Sequence, residues 1–436
     1  MKIGIIGGGI AGLTAAYRLS KSGHNVVVFE KDACLGGQAG TFDICGQPLE
    51  KYYHHIFTSD SDIICLIDEL GLGAKLKWLE SNVGLYYQGK TYKWVDAFDL
   101  LRFPGLSLVN RFRLGLTTLQ LQRHKNWHDL ENLTAQEWII QHVGRKNYEV
   151  IWEPLLRGKF GERADEIGMV WFWGKIYLRF SSRGKSMQKE RLGYLMGSYG
   201  QVINTLAQKI QESGGKINTG TTVKKIIVED NQVKGILTDR GEELFNVVIA
   251  TIPSSSFLSL VAELPKNYRE KLQMTTYQAT ACLVLTLKKS LSPFYWMNIS
   301  DTSMPFVAVI EHTNLVKSSN YNNKHIIYVS NYLTQDNLLY RMDAAELLEY
   351  YLPYLQKINP EFNREWVEDC FLWKDEAAQP IISTNYSQHI TEHRTSIDGL
   401  YLANTTQIYP EDRGMNYSVR LGNKISELVL DNTGIE

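Results

Sequence analysis

The residues best suited to do chemistry open the chain. Gly7, Gly8, Gly9, Ile10, Ala11 and Gly12 follow an apolar run at 2–6 and precede a helix-like run at 13–22, which stops at Gly23. A second apolar run, 25–29, closes on Glu30. A Gly-x-Gly-x-x-Gly turn between strand and helix is built to cradle a pyrophosphate. Gly7 permits the tight turn, Gly9 lets backbone approach the phosphates, and Gly12 lets helix and strand pack closely. The helix N-terminus adds free N–H groups and a positive dipole end, and Ala11, in the turn before it, is a further cofactor-binding candidate. Glu30 stands where a carboxylate accepts from a ribose 2′-OH, which favours an unphosphorylated ribose. The alternative is an ordinary glycine-rich turn, but strand, glycines, helix, strand and acid all fall in register.

A second glycine cluster follows Glu30 and Lys31. It reads Gly36-Gly37-Gln38-Ala39-Gly40-Thr41. With it the sequence resembles the flavoprotein superfamily of amine oxidases, phytoene desaturases and protoporphyrinogen oxidases, in which an acid, a short spacer and Gly-Gly-Arg precede a small-residue stretch. Gln38 stands where that family usually has Arg. The resemblance implies FAD rather than NAD, with Lys31, Gly37 and Gln38 among the cofactor-binding residues. It also implies backbone contact with adenine at Val223, and a chain running beside the cofactor at Ala250 and Thr251.

The C-terminal region carries a second signal. Residues 398–404 read as turn and strand, and Arg413-Gly414-Met415-Asn416-Tyr417 opens a helix at 418–430. The family has Gly-Asp where this chain has Ala403-Asn404, so Asn404 is implied as a partner of the ribityl hydroxyls. A helix N-terminus aimed at the flavin pyrimidine favours the anionic reduced ring, and Met415 and Asn416 are the candidates for that contact. The family's tethering cysteine is missing, which implies noncovalent FAD. Gly200 does not open a second fingerprint, because no apolar strand precedes it. With one dinucleotide site, electrons are expected to leave through oxygen, a quinone or another acceptor, or to return to the substrate.

Tyr52-Tyr53-His54-His55 is the remaining chemical candidate. One reading is a buried aromatic turn with a histidine satisfied by backbone. The other sets an imidazole against the flavin. The segment resembles the His-x-Phe-His-Thr region of UDP-galactopyranose mutase and the Gly-x-His stretch of the desaturases. His55 fits the His-x-Phe pattern better than His54, and both are catalytic candidates.

The elements that must position these residues are legible in part. Residues 61–70 have a helical period, and 83–92 alternate around Gln88-Gly89 as a hairpin. Residues 95–127 are mostly helical, broken at Pro104-Gly105, and mix leucine and phenylalanine with arginine. They form either a lid packed on the core or an interfacial surface touching a bilayer. Thr134 to Glu137 is a capping box. Residues 169–180 are dense in aromatics, among them Trp171, Trp173 and Phe180. Runs at 280–287, 305–310 and 325–332 read as strands, and 344–358 as a helix.

Composition narrows the rest. The 436 residues carry a net charge of -1 and are 44% hydrophobic, enough for two cores and no reason to expect nucleic acid. No signal peptide and no membrane-spanning stretch is read. The 5 cysteines are scattered without C-x-x-C spacing, so thiols of a reducing, cytoplasmic compartment are expected, with no metal site. The expected fold is α/β, a Rossmann-like FAD-binding domain (1–60, 195–255 and 375–436) interleaved with an α+β substrate domain (61–194, mostly helical, and 256–374, sheet plus helices). The function implied is an FAD-dependent oxidase, dehydrogenase or desaturase taking a hydride onto flavin N5. Its substrate would be a small molecule, apolar or glycan-linked. The rival is a non-redox sugar mutase, which would need an arginine cluster for a substrate pyrophosphate. Arg157, Arg163, Arg179 and Arg183 are its candidates.

Overall fold

The computed structural model describes residues 1–181 and 190–431, apart from the side chains at 97 and 178–181. Arg183, and the side chains of Arg179 and Phe180, therefore lie outside the described residues.

Five parallel strands form one sheet, in the order Leu400–Leu402, Val247–Ala250, Lys2–Ile6, Asn25–Phe29, Lys216–Asn218. Successive strand residues point to opposite faces, and this sheet is buried on both. Ile3, Ile5, Val26, Val28 and Ile249 pack in one core cluster with residues of the helices Ile10–Lys21, Gly200–Glu212 and Met415–Asp431. Ile6, Val27, Phe29, Val248 and Ala250 point the other way, toward Ile226 and Ile236 of a three-stranded antiparallel meander and Phe257 of the helix Ser254–Leu260. Two-sided burial explains why these strands read as unbroken apolar runs.

A seven-stranded mixed sheet forms the second layer, in the order Val367–Pro380, Tyr277–Leu287, His325–Leu333, Ala308–Glu311, Trp296–Ile299, Val83–Tyr87, Lys90–Lys93. The strand Tyr277–Leu287 lies between Val367–Pro380 and His325–Leu333, and almost all of it is buried. Cys282 and Val284 face one core, while Leu283, Leu285 and Leu287 face another. The α/β class read from the sequence is the class observed. One boundary differs: the strand Val367–Pro380 runs unbroken through residue 375. Residues 375–380 therefore belong to the large sheet, and the chain rejoins the parallel sheet only at Leu400–Leu402. Period-2 patterning marks a strand but does not say which sheet it joins.

The hairpin forms as expected, with Tyr87 opposite Lys90 and positive φ at Gln88 and Gly89. A helical insertion follows the hairpin. Ala97–Arg102 starts with a capping box at Asp96, Leu108–Arg123 with Ser107, and Ala135–His142 with the capping box at Thr134. On Leu108–Arg123, Leu114, Thr117 and Leu121 face inward and are buried. Leu108, Val109, Phe112 and Leu116 are 61–76% exposed. Arg111 and Arg113 are tied to backbone carbonyls of neighbouring segments, Arg111 at Leu106 and Arg113 at Gln141 and His142. No helix among the described residues is long and apolar enough to cross a membrane.

Candidate functional site

The glycine turn is held by its own backbone and by one acid. Gly7 has φ +111, and a Cβ there would meet Thr251 Oγ1 at 2.6 Å. Gly12 packs still more tightly, since its Cβ would fall 2.1 Å from the Gly7 carbonyl oxygen. Gly9 differs: nothing lies within 4 Å of a Cβ built on it. It faces an open cavity. The helix that follows has no side-chain cap and no acid in its first turn, so its leading N–H groups remain available on the cavity side. Glu30 Oε2 accepts from the Gly8 N–H (2.7 Å), and Oε1 accepts from the Asp32 N–H (2.9 Å). The carboxylate is buried, fixed in place, and lines the cavity. The second glycine pair docks on the first, with Gly36 N–H donating to the Gly8 carbonyl (2.8 Å).

The cavity has a volume of about 1190 Å³ and extends from this turn to the start of the C-terminal helix. Of the residues named from sequence, Gly7, Gly9, Ala11, Glu30, Lys31, Gly37, Gln38, Val223, Asn404, Met415 and His54 line it. Gly12, Ala250, Asn416 and His55 do not. Each departure has a physical reason. Gly12 lies against the Gly7 backbone. Ala250 is fully buried within the sheet, and Thr251 and Ile252 reach the wall instead. Asn416 turns inward, where its Oδ1 accepts from the Ile63 N–H (3.1 Å). Asn404 lines the wall, but its amide is engaged. Nδ2 donates to the Ile252 carbonyl (3.0 Å), and Oδ1 accepts from the Thr406 N–H (3.0 Å) and hydroxyl (2.7 Å). The ribityl contact inferred for Asn404 through that carbonyl thus competes with a local cap.

The two histidines separate. His55 Nδ1 lies 3.0 Å from the Tyr295 hydroxyl, and its ring packs edge-on against Phe57, Tyr295 and Trp296. His54 lies on the cavity wall, with Nδ1 2.6 Å from the Tyr52 carbonyl. A carbonyl only accepts, so Nδ1 carries the proton and Nε2 is left as an acceptor. Burial pushes the His54 pKa down to about 4, which keeps the ring neutral at pH 7. The sequence favoured His55, yet it is His54, in the irregular stretch after the strand Gln47–Glu50, that reaches the cavity.

Other wall residues were not singled out from sequence. Tyr52, Lys51, Tyr277, Tyr340 and Trp373 line the cavity, with Lys51 Nζ 4.7 Å from the Trp373 ring centre. Tyr52 could have been found beside the histidine pair. Trp373 is placed by its pairing with Cys282 in the large sheet. Arg413 also lines the cavity. Its neighbour Asp412 is buried and bound by Lys159 (3.3 Å) and by Lys175. Burial works to raise the Asp412 pKa, but the two lysines and Arg413 outweigh it and hold the carboxyl well below its ordinary range. Among the described residues no group of three or more metal-ligating side chains occurs.

The geometry fits an extended dinucleotide cofactor. One face of the cavity has a glycine left bare of protein atoms beside an uncapped helix. The other end has a second helix start at Met415. Comparison with known proteins agrees. The model of the family described as flavin containing amine oxidoreductase matches residues 10–411. A Dictyostelium discoideum protein named "Probable flavin-containing monoamine oxidase A" is 25% identical over 273 residues, 57% of this chain and 57% of that relative. The 4,4'-diapolycopen-4-al dehydrogenase of Metabacillus indicus is 23% identical over 314 residues, 65% of this chain and 61% of that protein. The chain thus spans less than two thirds of the length of these relatives. In three dimensions the chain is similar to reduced UDP-galactopyranose mutase, with TM-score 0.76 at 15% identity, covering 100% of this chain and 96% of that one. At that identity the likeness is one of fold.

Proposed function

This chain belongs to the family of flavin containing amine oxidoreductases, and from that premise we propose an FAD-dependent oxidoreductase that takes a hydride from a C–H or C–N centre. The observation that carries this reading is the single cavity joining the glycine turn to the start of the C-terminal helix. FAD, when bound, supplies the hydride acceptor at N5. The chain supplies the grip. Gly7, Gly9, Ala11 and Gly37 present backbone to the diphosphate, Glu30 accepts from the ribose, and Val223 borders the adenine end. The helix start at Met415 directs its positive end to the pyrimidine. The reading is of noncovalent FAD, supported by the cavity wall, on which no cysteine stands among the described residues.

His54 and the aromatic wall bear on the substrate side. A neutral imidazole with Nε2 as acceptor orients a donor without adding charge. Tyr277, Tyr340 and Trp373 exclude water, while Lys51, Asp375 and Glu376 keep the wall partly polar. That mixture favours a small, partly polar substrate over a long hydrocarbon. The mutase alternative receives less support. Arg157 pairs with Glu153 (2.9 Å) and Asp165 (3.5 Å), Arg163 pairs with Glu166 (2.7 Å), and neither lines the cavity.

The exposed strip Leu108, Val109, Phe112 and Leu116 supports peripheral contact with a bilayer surface. Such an apolar patch is uncommon on a free monomer surface, and Arg123 ends the helix that carries it, with Arg102 at the end of the helix before.

Anaerobic mixing tests the main reading. The holoprotein is exposed to primary amines, a porphyrinogen and a carotene while the flavin band is followed. Bleaching by one donor class is the expected result. A flavin that none of them reduces, in a protein that interconverts the ring forms of a nucleotide sugar, would overturn it in favour of the mutase.

A further inference from the structure

Lys175 lies in the helix Met169–Ser181, off the cavity wall. Its ammonium and that of Lys159 reach the same atom, Asp412 Oδ2, Lys159 at 3.3 Å. Arg413 adds a third positive charge beside that carboxylate. Asp375 gives Arg413 further support, whereas Lys175 has Asp60 as a weaker anionic neighbour. The other oxygen, Asp412 Oδ1, is taken by Gln379 Nε2 (2.9 Å). The charged groups that face Lys175 are therefore Asp412, Lys159, Arg413 and Asp60. Crowding of like charges disfavours the ionised form of whichever group can give up its proton.

The two lysines are not equivalent. The Lys159 side chain is 18% exposed, and its Nζ stands 5.0 to 5.9 Å from the ring centres of Trp171, Tyr332 and Phe160. Aromatic faces hold a cation in place. Lys175 stands by the Trp171 ring at 5.5 Å, and its side chain is 42% exposed. Lys159 thus keeps its proton, and Lys175 is the amine that yields one and that a reagent in solvent reaches. Burial, with the Lys159 and Arg413 charges, pushes the Lys175 pKa down to about 8 against the pull of Asp412. An ordinary lysine holds roughly a hundredfold less free amine at pH 7.

We propose that Lys175 is a site of acylation by activated acyl donors of the acyl phosphate class, and that its acylation lowers the reduction potential of the bound flavin. The nitrogen lone pair attacks the acyl carbon. A C–N bond forms, the C–O bond to phosphate breaks, phosphate leaves with the electron pair, and the amine proton passes to solvent. A neutral amide then stands where a cation stood. The change reaches the cavity through a short chain. Asp412 Oδ1 accepts from Gln379 Nε2, Gln379 Oε1 accepts from Arg413 Nε (3.1 Å), and Arg413 lines the wall. Reduction brings negative charge into the cavity, and a cation removed nearby disfavours it.

Holoprotein treated with acetyl phosphate at pH 8 tests the first half, with acetylated lysines followed by peptide mass spectrometry. Lys175 is expected to react at least tenfold faster than the median lysine, with a rate that is half-maximal near pH 8. Lys159→Met leaves Lys175 as the one lysine on Asp412, and should slow it severalfold. If that variant does not fold, the pH midpoint in wild type carries the test. A Lys175 rate at or below the median overturns the proposal, as does one still rising at pH 9.5. A rate unchanged by Lys159→Met also overturns it, because charge crowding would not be the cause. For the second half, Lys175→Gln copies the neutral amide and Lys175→Arg keeps the charge. At pH 7, where Lys175 is mostly charged, Lys175→Gln is expected to lower the flavin potential with FAD retained. Lys175→Arg should leave it near the wild-type value. Equal potentials in all three proteins, or an equal shift in both variants, overturn the link to the cavity.

Discussion

The Glu30 carboxylate holds the Gly8 N–H at 2.7 Å. The acid that ends the second strand therefore clamps the glycine turn as well as facing the cofactor cavity. Glu30→Ala is expected to remove two charge-assisted hydrogen bonds, destabilising the apoprotein by roughly 2–4 kcal/mol. FAD affinity falls with it. Urea unfolding of apoprotein and flavin titration measure the two effects separately. An apoprotein as stable as wild type would show that Glu30 serves the ribose alone.

Gly9 and Gly12 are expected to fail in different ways. A side chain at Gly9 meets no protein atom within 4 Å but enters the cavity. Gly9→Val should leave the apoprotein folded with an unchanged melting temperature and no bound flavin. At Gly12 a Cβ would sit 2.1 Å from the Gly7 carbonyl oxygen. Gly12→Ala should cost about 3 kcal/mol or more in the apoprotein through overpacking. If Gly9→Val retains full flavin occupancy, the diphosphate does not lie on this turn.

His54 and His55 should likewise separate. His54→Ala is expected to shift the flavin absorption band or reduction potential with FAD retained, because the ring lines the cavity. His55→Ala removes a partner of Tyr295 and edge contacts with Phe57 and Trp296. It should lower the melting temperature without changing the potential. A potential that moves for His55 and stays fixed for His54 would reverse the assignment.

Acid stability carries the mark of the buried histidines. Burial lowers the pKa of His54 to about 4 and that of His312 to about 3. Below pH 6.5 the unfolded chain takes up protons that the folded chain refuses, so stability falls as the pH drops from 6.5 toward 4 and is fully present above 6.5. His312→Gln should flatten that slope, since glutamine does not titrate. Denaturant melts at pH 4.5, 5.5 and 7 check the effect, and an identical slope in the variant counts against it.

For the helical strip, wild type is expected to co-sediment with phosphatidylglycerol vesicles. Phe112→Glu with Leu116→Glu should abolish this at an unchanged melting temperature, because both side chains are more than 60% exposed. Co-sedimentation by the double variant would mean that another surface meets lipid, and a wild type that does not co-sediment would mean that none does.

The sequence determined the local half of this protein. The glycine turn, the acid at Glu30, the helix starts at Thr134 and Met415, and the hairpin at Gln88-Gly89 depend on φ/ψ preferences, capping and short-range periodicity. All of these act within a few residues, and a single chain displays them. The wall that joins the distant segments depends on tertiary structure. Which of His54 and His55 faces the cavity follows from how one strand end meets the sheets. Asn416 looks like part of a cofactor loop and is instead fixed to Ile63, 353 positions away. Arg413 reaches Gln38 across 375 positions. Such contacts are set by packing two sheets and their helices into one body. No spacing along the chain encodes them, because the energy that selects them comes from burial shared among segments far apart in sequence.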